Sequence, residues 1–280
     1  MSDAAESLDE PAGEGEFLEL TDKISRERGF RCASYKDKCL RRRIAVRMRA
    51  RGVDGYGAYA ALLDEDAREF DRLIDALTIN VTKFFRNPDV FEAITREAIA
   101  PLWDGSFDSR IDVWSAGTAS GEEAYSLAAL FHRHAENVGE LARIDRVRVL
   151  GTDIDRRSLG AAKKGEYSET AFSDTPLAVR RRYFTPTAPF AVDESLRAMV
   201  RFARHDLLHQ SQPGRLFDLL VCRNVLIYFD RDAQERLFTL FASSIAPGGT
   251  LVLGKVETLF GPVRSSFVAV DPRARIFRRV

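Results

Sequence analysis

A run of small residues that ends in two acids is the segment of this sequence best suited to holding a ligand. Residues 113–123 read Val-Trp-Ser-Ala-Gly-Thr-Ala-Ser-Gly-Glu-Glu, with an apolar strand-like stretch before the first glycine. Small residues let the backbone turn sharply and approach a ligand, and the N-terminus of the following helix offers free N–H groups. Gly117 is therefore a candidate binding residue.

Glu122 and Glu123 indicate which kind of ligand suits this loop. The spacing Gly-x-Gly-x-x-Gly of dinucleotide-binding loops is absent. Two carboxylates at a helix start repel phosphate and suit a cationic group such as an α-ammonium or a sulfonium. The alternative is a helix capped by Ser120, whose acids only complement the helix dipole. The residues alone leave both interpretations open.

A pair of acids follows the second predicted strand, in residues 149–155, Val-Leu-Gly-Thr-Asp-Ile-Asp. In a Rossmann-like sheet an acid at the end of the second strand is placed to accept both ribose hydroxyls, which makes Asp153 a candidate. The alternative is an N-cap for a helix that starts near Arg156, a role that suits one of Asp153 and Asp155.

Two more segments place polar residues in apolar surroundings. Arg223 and Asn224 interrupt the run Val-Cys-Arg-Asn-Val-Leu-Ile-Tyr-Phe at residues 221–229. Polar residues at the carboxyl end of a parallel strand usually face the ligand crevice. Residues 78–86 read Thr-Ile-Asn-Val-Thr-Lys-Phe-Phe-Arg. Taken alone, that segment is compatible with an ordinary linker that buries its Phe pair.

These segments need a scaffold, and the N-terminal part of the chain predicts helices. Leu40, Ile44 and Met48 recur every four residues and would share one helix face, with Gly52 as the stop. Further helices are expected over residues 56–63 and 67–77, and no strand pattern appears. We predict a disordered tail over residues 1–15 and an all-helical domain over residues 16–85.

From about residue 110 the pattern becomes that of an α/β domain, which we assign to residues 86–280. Short apolar, β-branched runs alternate with helical spacing, which predicts βαβ units and a parallel sheet. The strand-like runs are residues 111–115, 147–151, 219–222 and 250–253, and the helical stretches are 122–132 and 232–244. Asp-Pro-Arg at 271–273 predicts a closing hairpin. Residues 165–205 fit neither pattern and are expected to form an insertion.

In their order along the chain, four segments resemble motifs of the CheR family, the chemoreceptor glutamate methyltransferases. They are Asn-x-Thr-x-Phe-Phe-Arg, Val-Trp-Ser-Ala-x-x-x-x-Gly-Glu-Glu-x-Tyr-Ser, Thr-Asp-Ile-Asp and Cys-Arg-Asn-Val-x-Ile-Tyr-Phe. The resemblance covers about residues 20–280. It implies a helical N-terminal domain, a Rossmann-like class I methyltransferase domain and a small inserted β-subdomain. It also implies S-adenosylmethionine as the cofactor and S-adenosylhomocysteine as the product.

The resemblance implies site residues as well. Glu122 corresponds to the acid near the methionine ammonium, Asp153 to the ribose acid and Tyr228 to the active-site tyrosine. The expected cofactor-binding residues are Asn80, Thr82, Arg86, Gly117, Glu122, Asp153, Asp206, Leu207, Arg223 and Asn224. The expected catalytic residues are Arg86 and Tyr228.

The chain departs from the family pattern at two places. Asp206-Leu207 stands where members often have Asn-Leu, so the adenine-side contacts are less secure. Gly-Lys-Val-Glu at residues 254–257 stands where many members have Gly-His-Ser-Glu, and we assign no role to Lys255 or Glu257. The Asn/Asp-Pro-Pro-aromatic motif of many base-amine methyltransferases is absent at residues 221–229, which argues against a nucleobase target.

The implied chemistry is methyl transfer to a glutamate side chain. A free glutamate with a pKa near 4.3 is ionised at neutral pH, so the reaction needs no general base. Catalysis is then mostly the alignment of oxygen, methyl and sulfur. Arg86 and Tyr228 are the candidates for placing the acceptor or the donor.

Residues 23–51 are dense in Lys and Arg, and we expect Arg41, Arg42, Arg43 and Arg47 to dock the acidic helical region of a receptor. The alternative is a solvated helix face. Family members that tether to a receptor C-terminal pentapeptide tend to carry a glycine-bearing loop in the β-subdomain. Residues 182–204 contain no glycine, so pentapeptide tethering is not expected.

Composition sets outer limits. The 42 Lys and Arg balance 42 Asp and Glu, so net charge predicts no polyanion partner. No apolar run is long enough for a membrane helix, and the acidic start is not that of a signal peptide. Three cysteines without Cys-x-x-Cys spacing favour a cytoplasmic protein, and no metal site is expected. Two alternatives remain: a nucleic-acid methyltransferase and a non-catalytic cofactor-sensing module.

Overall fold

The computed structural model describes residues 13–78, 81–105, 109–209 and 213–280. It divides into two compact units. The first comprises Met1–Ile79 and Tyr228–Asp230, and the second comprises Asn80–Ile227 and Arg231–Val280. Within the described ranges, no helix is both long and apolar enough to cross a membrane.

The first unit is built on α1 (Glu14–Arg28), α2 (Asp37–Arg51), α3 (Tyr56–Glu65) and α4 (Ala67–Leu77). Leu40 and Ile44 are buried on one face of α2, as their spacing predicts, and Gly52 ends the helix with a φ of 64°. α4 has the predicted bounds. The carboxylate of Asp66 caps it by accepting from the N–H groups of Arg68 and Glu69.

A buried acid joins three of these helices. The Glu69 side chain on α4 is fully buried and accepts from Nε and Nη2 of Arg47 on α2, at 2.9 and 2.7 Å. It also accepts from the Tyr59 hydroxyl on α3, at 2.9 Å. A carboxylate buried without such partners would cost several kcal/mol, so Arg47 is a structural residue of this unit.

The predicted tail is too long by at least two residues. α1 already begins at Glu14, so Glu14 and Gly15 are helical, and residues 1–12 lie outside the described ranges. Glu14 lies in the first helical turn, where a carboxylate complements the helix dipole. Its Oε2 is 2.5 Å from Nη2 of Arg41, which holds this end of the helix on α2.

The second unit contains a seven-stranded sheet in the order β5-β2-β1-β6-β7-β9-β8. The five strands from β5 to β7 pair in parallel, and β9 pairs antiparallel with both β7 and β8. This is the predicted parallel sheet closed by a hairpin. The strands are β1 (Ile111–Ala116), β2 (Val147–Asp153), β3 (Glu166–Tyr167), β4 (Phe190–Ala191), β5 (Val200–Arg204), β6 (Phe217–Cys222), β7 (Ile245–Leu253), β8 (Phe267–Asp271) and β9 (Ile276–Arg279).

Helices connect these strands, as alternating βαβ units require. A π-helical segment, Thr95–Ile99, joins two of them. The helices of this unit are α5 (Pro88–Ile94), α6 (Ala100–Asp104), α7 (Glu122–Asn137), α8 (Arg156–Lys164), α9 (Leu177–Tyr183), α10 (Glu194–Met199) and α11 (Arg231–Ser244). The buried faces of β1 and α7 share one apolar core with the linker phenylalanines, which fixes the start of α7 beside the end of β1.

The inserted segment is shorter than predicted. β3 and β4 pair antiparallel as a separate two-stranded sheet, flanked by α9 and α10. Val200–Arg204 does not belong to the insertion, because it forms β5 and pairs in parallel with β2 at the edge of the main sheet. Only Val200 of this strand is buried, which left its sequence without a clear strand signal.

Residues 81–85 belong to the second unit and not, as predicted, to the helical domain. The reason is Phe84, whose ring packs against Tyr167, Phe172 and Phe184 of the inserted segment, with ring centroids 4.7 to 5.0 Å apart. Aromatic pairs at this spacing are favourable in edge-to-face and stacked arrangements alike.

Candidate functional site

The loop after β1 turns as the small residues predict. Gly117 and Gly121 have φ values of 76° and 95°. A Cβ added at Gly117 would lie 2.5 Å from Cγ2 of Val225, and one added at Gly121 would lie 2.8 Å from Cβ of Ala162. Both positions therefore require glycine for conformation and for space.

Glu122 opens α7 and is 5% exposed. Burial raises the pKa of its carboxyl to about 7. The Ser120 hydroxyl donates to Oε2 of Glu122 at 2.7 Å. The alternative in which Ser120 caps the helix is wrong, because Gly121 occupies the N-cap position without a side-chain bond. A cation beside Glu122 would lower this pKa again, which fits the predicted cationic ligand.

Glu123 has partners inside the protein. Its Oε1 accepts from the Ser115 hydroxyl at 2.9 Å, and its Oε2 lies 3.8 Å from Nη1 of Arg223. Burial raises the pKa of the Glu123 carboxyl, and the Arg223 guanidinium opposes that shift. Glu122 and Glu123 therefore differ in their surroundings, because Glu123 is paired with Arg223, directly after β6.

Asp153 at the end of β2 braces the loop. Its Oδ2 accepts from the Ala119 N–H at 2.8 Å, and its Oδ1 accepts from the Asp155 N–H at 3.0 Å. Burial raises the pKa of its carboxyl. Asp155 is the N-cap of α8, accepting from the N–H groups of Arg157 and Ser158. Of the two acids, Asp155 is therefore the N-cap of α8, and the ribose role of Asp153 stays a prediction.

The linker before α5 is held by backbone and ring contacts. The Phe84 N–H donates to the Ala171 carbonyl at 2.9 Å, and the Phe85 N–H donates to the Ser126 hydroxyl at 3.0 Å. Arg86 donates through Nη1 to the Val81 carbonyl at 3.0 Å. Asn80, a predicted cofactor residue, lies outside the described residues.

An open cleft of about 720 Å³ lies between this linker, the glycine loop, α8 and the inserted segment. It brings together three predicted site residues, Thr82, Arg86 and Glu122. Lys83 and Asp174, which also line it, form an ion pair at 2.6 Å that joins the linker to the inserted segment. A cleft with a buried acid and an arginine can accept a ligand that carries both an ammonium and a carboxylate.

Arg223, predicted to line the cofactor, bonds to residues inside the protein, and its contact with the cofactor stays a prediction. Its side chain is 1% exposed and is absent from the lining of the cleft. Nη2 donates to the Arg86 carbonyl at 2.8 Å and to Oδ1 of Asn87 at 3.0 Å, with the guanidinium 5.2 Å from the centre of the Phe91 ring. It therefore ties the end of β6 to the linker. The next residue, Asn224, has a φ of 60°.

Asp206 and Leu207 follow β5 and do not line the cleft. Oδ1 of Asp206 accepts from the Leu208 N–H at 2.9 Å, and Oδ2 lies 2.6 Å from Nδ1 of His209. Residues 210–212 are outside the described ranges. The adenine-side role of these two residues stays a prediction.

Tyr228, the second predicted catalytic residue, is grouped with the first unit. Its carbonyl accepts from the Lys36 N–H at 2.9 Å, and the Arg43 guanidinium lies 5.7 Å from the centre of its ring. Its catalytic role also stays a prediction.

Glu257 is a polar residue to which the sequence assigned no role. It is 4% exposed, and its carboxylate accepts from the N–H groups of Val225, Leu226 and Gly254. In the sequence, Glu257 is only an acid four residues after an apolar strand. That position does not show whether its carboxylate is buried and bonded to the backbone or exposed at the surface.

Comparison with known protein families identifies both units. Residues 80–274 match the CheR methyltransferase, SAM binding domain, and residues 15–78 match the CheR methyltransferase, all-alpha domain. The boundary between the two matches falls where the structure divides.

Curated relatives agree along most of the chain. A chemotaxis protein methyltransferase of Listeria monocytogenes is 33% identical over 90% of this chain and 93% of its own length. One of Klebsiella aerogenes is 33% identical over 88% of this chain and 84% of its own. An uncharacterized 104.1 kDa protein of Rhodobacter capsulatus is 36% identical over 87% of this chain, which spans only 25% of that protein's length.

Proposed function

The chain belongs to the CheR methyltransferase family and is an S-adenosylmethionine-dependent methyltransferase, and we propose that it methylates glutamate side chains of chemotaxis receptors in the cytoplasm. The observation that carries the proposal is the cleft that Glu122 and Arg86 both line. It supplies an acid for the donor's ammonium and an arginine for a carboxylate, as a transfer between an amino-acid-like donor and a glutamate requires.

Residues of the cleft and of the glycine loop beside it fit the cofactor. Burial raises the pKa of the Glu122 carboxyl to about 7, and no ion pair among the residues that the structure describes includes it, so a bound cation would favour its charged form. Asp153 does not line the cleft but braces the loop beside it, where its two oxygens accept from the backbone of Ala119 and Asp155. A carboxylate oxygen can accept more than one hydrogen bond, so these bonds are compatible with a ribose hydroxyl as a further donor. We assign the ammonium to Glu122, the ribose to Asp153 and further contacts to Thr82, Asn80 and Gly117.

When bound, S-adenosylmethionine supplies a methyl group on a sulfonium, which leaves as the thioether of S-adenosylhomocysteine. The acceptor oxygen of a glutamate is already ionised at neutral pH, so this chain needs no base. Arg86, which donates to the Val81 carbonyl, is assigned the role of orienting the acceptor carboxylate. The catalytic role of Tyr228 rests on its place in the family motif. Because an arginine also stabilises the ground state, alignment contributes more to the rate than tight acceptor binding does.

Fewer arginines are available to dock a receptor than the basic segment 23–51 predicts. Arg47 is bound to buried Glu69, Arg41 pairs with Glu14, and Arg43 donates to the Ala76 carbonyl. Arg42 is exposed, and none of the ion pairs of the described residues includes it. We therefore propose that Arg42 leads the docking of an acidic receptor helix, with Arg41 and Arg43 beside it.

We also propose that the inserted segment does not tether a receptor pentapeptide. Its separate sheet consists of two strands of two residues each. So short an edge offers few backbone groups for an added peptide strand. Calorimetric titration with the peptide Asn-Trp-Glu-Thr-Phe should give no heat of binding, and micromolar affinity would refute the statement.

The experiment that tests the proposed function is transfer of labelled methyl from S-adenosylmethionine to purified cytoplasmic fragments of chemotaxis receptors. Receptor label that alkali releases as methanol identifies a glutamate methyl ester. Transfer to RNA or DNA under the same conditions, with an unlabelled receptor, would instead favour a nucleic-acid methyltransferase.

A further inference from the structure

The carboxylate of Glu257 brackets the turn that follows β6. Oε1 accepts from the N–H groups of Val225 and Leu226, both at 2.9 Å, and Oε2 accepts from the Gly254 N–H at 2.6 Å. One side chain therefore satisfies three backbone donors from two strand ends. These donors are in a tightly packed region, since a Cβ added at Gly254 would lie 2.8 Å from the Asn224 nitrogen.

The bracketed turn packs directly on the glycine loop. Val225 is held through its N–H by Glu257, and its side chain covers Gly117, where an added Cβ would lie 2.5 Å from Cγ2. The space above Gly117 is thus set by where Val225 stands. A shift of a few tenths of an ångström in Val225 would either press on the loop or leave it loose.

We propose that Glu257 is a positioning residue for the cofactor: it fixes Val225, and Val225 fixes the backbone of the Gly117 loop. Glu257 does not line the cleft that holds Glu122 and Arg86. Its effect on cofactor binding is indirect and passes through one backbone bond and one packing contact. This inference depends on the proposed placement of the cofactor at the Gly117 loop.

The charge pattern of the bracket makes Glu257→Gln an informative variant. A glutamine keeps the volume, and its oxygen can still accept from Val225 and Leu226. Its amide nitrogen then faces the Gly254 N–H, so two donors oppose each other where one bond stood. A buried N–H without an acceptor costs about 1–3 kcal/mol, which the turn relieves by moving.

The experiment measures the dissociation constant of S-adenosylhomocysteine by calorimetry and the melting temperature of the same samples. Asp218→Asn is the matched control, because the Asp218 carboxylate also accepts a backbone N–H, that of Asp112 at 2.8 Å, at the amino end of β6. Both variants should melt earlier than the parent chain. Glu257→Gln should weaken binding about tenfold, and Asp218→Asn should leave it within about twofold.

Glu257→Gln with the parent affinity would overturn the inference, as would equal losses in Glu257→Gln and Asp218→Asn. Should Glu257→Gln not fold, Val225→Ala tests the same path, since it removes the side chain over Gly117. It should weaken binding severalfold, and unchanged binding would overturn the inference. In the double variant the two losses should be less than multiplicative, and a full product would contradict a shared path.

The proposed cofactor placement can fail separately. If the parent chain binds S-adenosylhomocysteine and Glu122→Gln binds equally well, the placement at the Gly117 loop is wrong. If Glu122→Gln weakens binding while Glu257→Gln and Val225→Ala do not, the placement stands and the positioning role of Glu257 is wrong.

Discussion

Two regions at the carboxyl ends of the strands use charged residues in opposite ways. Glu122 and Arg86 line the cleft beside the glycine loop, and the side-chain bond of each goes to a residue nearby in the chain, Ser120 and Val81. Arg223, directly after β6, and Glu257, after β7, are also buried, but their side chains bond to distant parts of the chain. A buried polar residue can thus be a candidate ligand contact or a link between distant parts of the chain. Burial does not separate the two, since Glu122 is 5% exposed and Glu257 is 4% exposed, but bonds to distant parts of the chain do.

The largest effect on stability should come from replacing the buried Arg223. Arg223→Met leaves the buried Glu123 carboxylate without its cation, so the free energy of unfolding should fall by about 3–5 kcal/mol. Urea denaturation measures this change. The exposed Arg181→Met should change stability by less than about 0.5 kcal/mol. A similarly small change in Arg223→Met would contradict a structural role for the Arg223 guanidinium.

Removing the charge in the cleft should weaken cofactor binding without lowering stability at neutral pH, where the buried carboxylate is itself a cost. Glu122→Gln deletes the partner proposed for the donor ammonium, so the affinity for S-adenosylhomocysteine should fall about 100-fold. Calorimetry measures the constant. Glu123→Gln is the neighbouring control, and it should lower stability more than affinity, because its partners Ser115 and Arg223 are inside the protein.

Arg86 separates binding from alignment within the cleft. Arg86→Ala should lower kcat between about 10- and 100-fold at saturating cofactor, since a misplaced acceptor loses its in-line geometry. Arg86→Lys keeps the charge and should recover only part of the rate. Near-normal kinetics in Arg86→Ala would remove the residue from the site.

The raised pKa of Glu122 predicts how binding depends on pH. The group must ionise to hold an ammonium, so affinity for S-adenosylhomocysteine should rise about tenfold between pH 6 and pH 8, around the pKa of about 7. The same titration on Glu122→Gln should be nearly flat. A flat curve for the parent chain would contradict a buried, titrating Glu122.

Stability of the empty protein should move the other way with pH. The folded pKa of Glu122, about 7, lies above the ordinary value of 4.5, so its contribution is lost as pH rises from about 4.5 to about 7. Unfolding of Glu122→Gln should lack this part of the pH dependence. Equal profiles for the two proteins would place the titration elsewhere.

The smallest effect is expected on the receptor face. Arg42→Glu should raise the KM for receptor severalfold at low salt and less at high salt, because exposed charges act over a screened range. Affinity for S-adenosylhomocysteine should not change. An unchanged salt dependence would favour a merely solvated helix face.

Most of the fold follows from local patterns in the chain. The repeat of Leu40 and Ile44, the β-branched runs at β1 and β2, and the Asp-Pro-Arg turn each determine their element within a few residues. The end of the insertion could not be read this way, because β5 exists only through its pairing with β2. Such pairing joins residues some 50 positions apart and leaves little local trace.

In the candidate site, too, local motifs could be predicted and long-range bonds could not. Thr82, Arg86 and Glu122 were assigned from their motifs, and the structure brings them to one cleft. The internal bonds of Arg223 and Glu257 could not be predicted from the sequence. Arg223 bonds to the linker about 136 residues earlier, and Glu257 bonds across 31 and 32 residues to the turn. Nothing in a local motif distinguishes these buried bonds from contacts to a ligand.

A crystal structure with S-adenosylhomocysteine tests the central claim most directly. The ammonium of the ligand should lie within hydrogen-bond distance of the Glu122 carboxylate, with Thr82 and Arg86 lining the same cleft. The Arg223 guanidinium should keep its bonds to the Arg86 carbonyl and Asn87. A ligand that bonds to the Arg223 guanidinium and makes no contact with the Glu122 carboxylate would contradict the account.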